Sequence, residues 1–163
     1  LTKPCKRIKR ISKEVEKKNT DQIDLAHKLN LVVSNSIEYV SGSTTISTSS
    51  EEALKQKKGV CQDFAHILIS AARLNKLPAR YINGFLLEET KSGENTTHAW
   101  VEIFLKDLGW VAFDPSHKKC IDEKYIRIST GFDFLDASTI KGVKTNYEGE
   151  EYLDTKVNIE NCQ

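Results

Sequence analysis

The sequence predicts an α+β fold, with helices in the first half of the chain and an antiparallel sheet after them. Apolar residues recur at helical spacing in the first half, whereas the segments after Arg80 alternate apolar and polar residues as strands do. Runs of helices followed by runs of strands are typical of α+β proteins. The length of 163 residues and the hydrophobic content of 39% suit one domain with a sizeable core.

The first predicted helix covers residues 21–40, where Asp21 provides a start signal and apolar residues follow at helical spacing. Residues 41–50 are rich in small hydroxyl side chains and predict a loop. At the end of this loop, Ser49 or Ser50 can cap a short second helix that carries acidic residues in its first turn.

The third predicted helix begins near Cys61 and reaches about Asn75, and Pro78 prevents its continuation. Its apolar stripe consists of Val60, Phe64, Ile67, Leu68, Ala71, Ala72 and Leu74. This helix therefore faces a core along one side and has a cysteine at its start.

Five strands are predicted in the second half of the chain, because short alternating segments there are separated by turn signals. They cover residues 80–89, 98–105, 110–114, 124–129 and 150–161, with turns at 91–95 and 106–109. The alternation in 98–105 is strong and places His98, Trp100 and Glu102 on one face of the strand.

The charge balance argues against a strong attraction to nucleic acid or anionic membranes, because the formal net charge is +1. We interpret the basic segment 3–18 as a solvated helix face rather than a nucleic-acid patch. No apolar run approaches the roughly 20 residues that span a bilayer, and no signal peptide is visible. These features predict a cytoplasmic protein without a membrane span, and they leave the oligomeric state open.

We expect residues 1–163 to form one domain, with residues 1–20 as a basic N-terminal segment. The chain opens at Leu1 and contains no methionine, so we also expect it to be a fragment of a longer protein. A signal segment or a neighbouring domain outside this fragment is compatible with that expectation.

The four cysteines, Cys5, Cys61, Cys120 and Cys162, lie at long and unequal spacings. No CxxC pair is present, so a structural zinc site has little support, and four cysteines are too few for a disulfide scaffold at this length. We therefore expect reduced thiols, no metal and no other cofactor, with a Cys5–Cys162 pair as the open alternative.

The position of Cys61 makes it the candidate nucleophile. It stands at a predicted helix start, where the unpaired amide hydrogens of the first turn carry partial positive charge. That environment favours the thiolate, which is the nucleophilic form of the side chain. Many helices begin with a structural cysteine, so the hypothesis also requires a histidine and an acid within reach.

His98 begins one predicted strand and Asp114 ends the next, so the register of the hairpin decides whether they share a face. We predict that Phe104 lies opposite Trp110. Asp114 then lies opposite Trp100, which makes it a diagonal neighbour of His98 on the same face. Diagonal pairs are about 7–8 Å apart at the backbone, within reach of an imidazole and a carboxylate, whereas a slip of one residue separates them.

Three blocks of sequence occur in order between Ser43 and about Val143: GVCQDFAHILISAARLNKLPARYINGF, HAWVEIFLKDLGWVAFDPS and YIRISTGFDFLDASTIKGV. Together they resemble the bacterial transglutaminase-like domains, of the superfamily of transglutaminases, peptide N-glycanases and related cysteine proteases. The resemblance implies a papain-like core in which the nucleophile helix packs on an antiparallel sheet. It also implies Cys61 as nucleophile, His98 as general base and Asp114 as orienting acid.

Two positions depart from the family pattern. Ser116 follows Pro115 where the family usually has threonine, and Phe132 stands where bacterial members commonly carry arginine. Substrate contacts made through that arginine are therefore not carried over to this chain.

The predicted function is acyl transfer through a thioester, in a cysteine protease or amidase that hydrolyses peptide or carboxamide bonds of a peptide or protein substrate. Hydrolysis is preferred because it requires no exclusion of water. Transfer to an amine, as in a protein-glutamine transglutaminase, is one alternative, and a catalytically inert peptide-binding module is another. The backbone amide of Cys61 is a candidate oxyanion donor, and Gln62, Tyr39 and Trp100 are candidate oxyanion or substrate-binding residues.

A further alternative is a metal site built from Cys61, His98 and Asp114 with His117 or Cys120.

Other polar residues are given structural roles. Asp63 is expected to cap its helix or to pair with Arg80. His66 is expected to lie at the surface or to be otherwise satisfied, and Glu102 to lie at a solvated strand edge. His117 is given no catalytic role.

Overall fold

The computed structural model describes residues 1–15, 21–87 and 96–140, together with Gly149. Along these ranges the elements are α1 Lys6–Val15, α2 Gln22–Ser34, β1 Glu38–Tyr39, α3 Ser50–Gln56, β2 Lys58–Gly59, α4 Cys61–Leu74, β3 Ala79–Leu86, β4 Thr96–Leu105, β5 Gly109–Asp114, β6 Lys119–Cys120, β7 Tyr125–Gly131 and α5 Phe134–Ala137. Helices precede an antiparallel sheet, which confirms the predicted α+β class. None of these helices is long and apolar enough to cross a membrane.

The main sheet has five strands in the order β6-β5-β4-β3-β7, and every neighbouring pair is antiparallel. Helix α4 packs across β4 and β3, and α1, α2 and α3 pack around its other sides. All residues from Gln62 to Ala72 are buried. A helix surrounded on all sides needs apolar residues around its whole circumference, and the run FAHILISAA nearly provides them.

The basic N-terminal segment forms α1 over part of its length. Its apolar residues Ile8, Ile11 and Val15 are buried against the helical core, whereas its lysines and arginines are exposed. Cationic side chains on the outer face of an amphipathic helix agree with the predicted solvated surface.

Helix α2 ends at Ser34, six residues before the predicted end at residue 40. The reason is tertiary: Glu38 and Tyr39 leave the helix to pair, in parallel, with Lys58 and Gly59. This two-residue ladder fixes the chain just before α4.

By contrast, the predicted cap of α3 is confirmed, because the Ser49 hydroxyl accepts from the Glu52 amide while the Glu52 carboxylate accepts from the Ser49 amide.

The predicted strands correspond to β3, β4, β5 and β7, with ends that shift by one or two residues where the structure describes them. The short strand β6 was not predicted. It pairs Cys120 with Phe113 and Lys119 with Asp114, directly after the turn that follows Pro115. The predicted turn at 91–95 and strand at 150–161 lie outside the described residues, as does Cys162.

Gly84 allows β7 to approach β3 beside His98. It pairs with His98 on one side and Arg127 on the other, and a Cβ atom here would lie 2.1 Å from the Ile126 carbonyl oxygen. We expect Gly84→Ala to lower the free energy of unfolding by on the order of 3 kcal/mol, because a backbone atom cannot yield as a side chain can. Urea denaturation measures this loss.

The matched control is Gly42→Ala. Gly42 has φ of +71° but nothing within 4 Å of its added Cβ, so only the backbone conformation costs energy, about 1 kcal/mol. Equal stability of the two variants would contradict the proposed steric role of Gly84.

Candidate active site

Cys61 is the first residue of α4, and its side chain is partly exposed. Asp63 holds the helix start in place, because its Oδ2 accepts from the Val60 amide at 2.8 Å and from the Thr44 hydroxyl at 2.6 Å. Burial raises the pKa of Asp63, against the effect of these hydrogen bonds. The predicted capping role of Asp63 is thus confirmed. Arg80, the alternative partner predicted for Asp63, pairs instead with Glu102 at 2.6 Å.

Gly59 permits this arrangement. An added Cβ would lie 2.7 Å from the Cβ of Asp63 and 2.9 Å from Cδ1 of Ile37. The chain before the cysteine therefore has no room for a side chain, and the glycine brings the β2 strand close against the first turn of α4.

The predicted hairpin register is confirmed, since Phe104 lies opposite Trp110 in the β4–β5 ladder. As a result, His98 Nε2 lies 2.6 Å from Asp114 Oδ2. An ionised carboxylate can only accept, so the imidazole donates in this hydrogen bond. The two residues that start β4 and end β5 are therefore joined side chain to side chain.

Asp114 is completely buried and accepts hydrogen bonds at both carboxylate oxygens. Oδ2 accepts from His98, from the Tyr125 hydroxyl at 2.8 Å and from His117 Nδ1 at 2.8 Å. Oδ1 accepts from the amide and hydroxyl of Ser116 at 2.8 and 2.6 Å. Burial alone would raise the pKa of Asp114, but these hydrogen bonds, led by that of His98, hold it well below its ordinary value.

His98 connects Asp114 to the thiol. Its Nε2 is bound to Asp114, which leaves Nδ1 as the ring nitrogen available to the neighbouring Cys61 thiol. Burial lowers the pKa of a histidine, yet the hydrogen bonds and charges of Asp114 and Cys61 outweigh it and raise the pKa of His98 to about 9. The imidazole is thus able to hold a proton received from the sulfur.

The three other predicted site residues lie nearby in different settings. Gln62 is buried, and its amide nitrogen lies 3.5 and 3.4 Å from the carbonyl oxygens of Thr45 and Ile46, so it anchors the 41–49 loop. Tyr39 is half exposed and stacks on Phe64, with ring centroids 6.3 Å apart.

Trp100 stacks on His98 with ring centroids 6.2 Å apart, and it is buried. Its indole nitrogen has no hydrogen-bond partner among the described residues. The Trp100 ring thus packs against the imidazole. The other tryptophan, Trp110, lies near the β4–β5 turn, with the Arg80 guanidinium over its ring.

Sequence reasoning missed two partners of Asp114. Tyr125 reaches it from β7, which no local pattern signals. His117 reaches it from the turn after β5, and its spacing of three residues from Asp114 in the run DPSH was the available signal. Ser116, noted only as a departure from threonine, keeps the hydroxyl that binds the carboxylate.

The predicted setting of Glu102 was wrong, and that of His66 was only partly right. Glu102 is not solvated but buried, and it pairs with Arg80 at 2.6 Å and Arg127 at 3.0 Å. His66 is also fully buried in α4 and accepts from the Phe134 amide, while its Nδ1 has no partner among the described residues. Burial lowers the pKa of His66 to about 4, so it is neutral near pH 7.

The arrangement places a thiol beside an imidazole that is hydrogen-bonded to a buried carboxylate. Such an arrangement can move a proton from sulfur to imidazole while the carboxylate fixes the tautomer and balances the new positive charge. A helix N-terminus at the sulfur adds backbone donors where an oxyanion would develop.

Comparison with known proteins gives a consistent result. The family model described as transglutaminase-like superfamily matches residues 9–115. The uncharacterized protein Rv2569c of Mycobacterium tuberculosis is 33% identical over 131 residues, covering 74% of this chain and 42% of its own length. The chain therefore spans less than half the length of that relative.

Solved structures show the same fold. A candidate cysteine protease from Cytophaga hutchinsonii superposes with a TM-score of 0.69 at 27% identity, covering 84% of this chain and 47% of that one. Legionella pneumophila LapG has a TM-score of 0.60 at 16% identity, with coverage of 77% and 72%. The second similarity concerns the fold alone.

Proposed function

Because the chain belongs to the transglutaminase-like superfamily, we propose that it is a thiol-dependent acyl-transfer enzyme that hydrolyses peptide or carboxamide bonds. Cys61, His98 and Asp114 act as its catalytic triad. The observation that carries the proposal is the hydrogen bond of 2.6 Å between His98 and the buried Asp114, with Cys61 close enough at the start of α4 to interact with the imidazole.

In the first half of the reaction, His98 Nδ1 accepts the proton of Cys61 and the sulfur attacks the substrate carbonyl carbon. The resulting oxyanion is stabilised by the Cys61 backbone amide at the start of α4. His98 then gives its proton to the departing amine, which leaves a thioester on Cys61. Asp114 keeps the imidazolium in place throughout, because Oδ2 accepts from Nε2.

In the second half, a water molecule gives a proton to His98 and attacks the thioester carbonyl. The carbon–sulfur bond breaks, the acid product leaves, and the thiol recovers its proton from His98. Hydrolysis is favoured over amine transfer by the similarity to the Cytophaga hutchinsonii protein, which is named as a candidate cysteine protease. A peptide or protein is the expected substrate.

Alkylation by iodoacetamide tests the nucleophile. We expect Cys61 to be modified near neutral pH before Cys5 or Cys120, because only Cys61 is paired with a histidine among the described residues. Peptide mapping by mass spectrometry measures the order of modification. His98→Ala should slow Cys61 to the rate of the other thiols. Equal, slow modification of all described cysteines would instead indicate an inert module.

A peptide screen with and without an added primary amine tests the reaction class. Release of an acid product, unchanged by the amine, is expected for hydrolysis. A predominant amide-linked product would replace hydrolysis by amine transfer.

A further inference from the structure

His117, which the sequence offered only as one possible ligand of an alternative metal site, completes a group of metal-binding atoms. His98, Asp114 and His117 each offer one ligand atom, and these atoms lie within 4.8 Å of one another. Both imidazole nitrogens, His98 Nε2 and His117 Nδ1, bind the single oxygen Asp114 Oδ2, at 2.6 and 2.8 Å. The two rings meet edge to face with centroids 5.2 Å apart.

The support around this group favours a fixed geometry. Ser116 holds Asp114 through the opposite oxygen, Oδ1, at 2.6 and 2.8 Å, so Oδ2 keeps its direction when its partners change. His98 is held by stacking against Trp100. The His117 side chain is 38% exposed, which provides a route from solvent to ligand atoms that are otherwise buried.

Two imidazoles and one carboxylate match the ligands that Zn²⁺ prefers in sites with an open position. Tetrahedral bonds of about 2.0–2.2 Å place ligand atoms about 3.4 Å apart. The observed separations of 2.6 and 2.8 Å are hydrogen-bond distances, so a shift of well under 1 Å per side chain would admit the ion.

We propose that His98, Asp114 and His117 form a reversible inhibitory site for Zn²⁺, with water as the fourth ligand. Zinc displaces the proton on His98 Nε2, which is released to solvent, and His117 coordinates through Nδ1 as the tautomer protonated at Nε2. In exchange, Nδ1 of His98, the nitrogen left for Cys61, takes up a proton from solvent, so the neutral ring is coordinated as the tautomer protonated at Nδ1. The ring is no longer able to accept the thiol proton.

The binding site stands independently of the proposed function, whereas the inhibition rests on that function. Binding is therefore tested in Cys61→Ala protein, which removes the thiol as a competing zinc ligand. ZnCl2 is titrated against a chromophoric chelator, and one ion per chain is expected. Adding His117→Asn should weaken binding by at least about tenfold, since even the loss of a group that only supports a ligand has effects of that size.

Three controls make the result specific. His27→Asn removes an exposed histidine outside the cluster and should leave binding unchanged. His117→Gln keeps a hydrogen-bond donor for Asp114. If both His117 variants bind zinc weakly while circular dichroism shows that they are folded, the weak binding reports the loss of a zinc ligand. Ca²⁺ should not compete, because it selects oxygen ligands.

Absence of stoichiometric binding in Cys61→Ala protein, or equal binding after substitution of His117, would overturn the site. With wild-type protein, zinc should stop peptide hydrolysis reversibly, and His117→Asn should require at least about tenfold more zinc for the same fractional inhibition. Equal sensitivity, or activation by zinc, would overturn the inhibitory role. If metal-free wild-type protein hydrolyses no peptide, the proposed function fails. The chelator titration then still shows whether the zinc site exists.

Discussion

Replacing Cys61 by alanine should abolish turnover of every amide substrate while leaving the fold intact. Loss of the nucleophile in a triad enzyme lowers kcat by on the order of 10⁶, because the remaining groups cannot form the covalent intermediate. The partly exposed side chain lies at the surface end of α4, so the free energy of unfolding should change by less than about 1 kcal/mol. Peptide hydrolysis and thermal unfolding measure the two quantities.

Cys120→Ala is the matched control. Cys120 is also partly exposed, and burial raises the pKa of its thiol, so it is a poor nucleophile. This variant should keep full activity. Turnover that persists in Cys61→Ala protein would assign the chemistry to another residue.

Replacing Asp114 by asparagine should lower kcat by on the order of 10³–10⁴. The asparagine amide can donate a hydrogen bond where the carboxylate accepts one, and this favours the wrong tautomer of His98. The imidazolium form of His98 also loses its counter-charge. Six hydrogen-bond donors from His98, His117, Tyr125 and Ser116 now share that carboxylate. An unchanged rate would remove Asp114 from the triad.

The same variant has a consequence for stability at alkaline pH. The pKa of His98 is raised to about 9 in the folded protein, against 6.5 for an ordinary histidine. Its contribution to stability is therefore complete below about pH 6.5 and is lost as the pH rises towards 9. Wild-type protein should lose stability across this window, and Asp114→Asn should lose much less. Urea denaturation at pH 6, 7.5 and 9 compares them.

The parts of the site that follow from local periodicity were predictable. Alternation in β4 and β5, with Phe104 opposite Trp110, fixed the face shared by His98 and Asp114. The helix that starts at Cys61 followed from its apolar pattern and from Pro78.

The errors arose where distant segments decide the outcome. The end of α2 depends on pairing between β1 and β2, which are separated by α3. The burial of Glu102 depends on arginines from β3, which neighbours its own strand β4, and from β7, which lies beyond β3, and no local pattern reports which strands are neighbours. Tyr125 reaches Asp114 for the same reason, since β7 returns to the sheet beside β3.

Helix α4 is enclosed along its length, and this has a consequence for how the protein can diversify. Its residues from Gln62 to Ala72 are packed in the core. A shift of the helix that moves the Cys61 sulfur would therefore also disturb the packing of most of the domain. Under the proposed function, new substrate preferences are therefore more readily acquired through the surrounding loops, such as the one that Gln62 and Asp63 tether, than through the helix that carries Cys61.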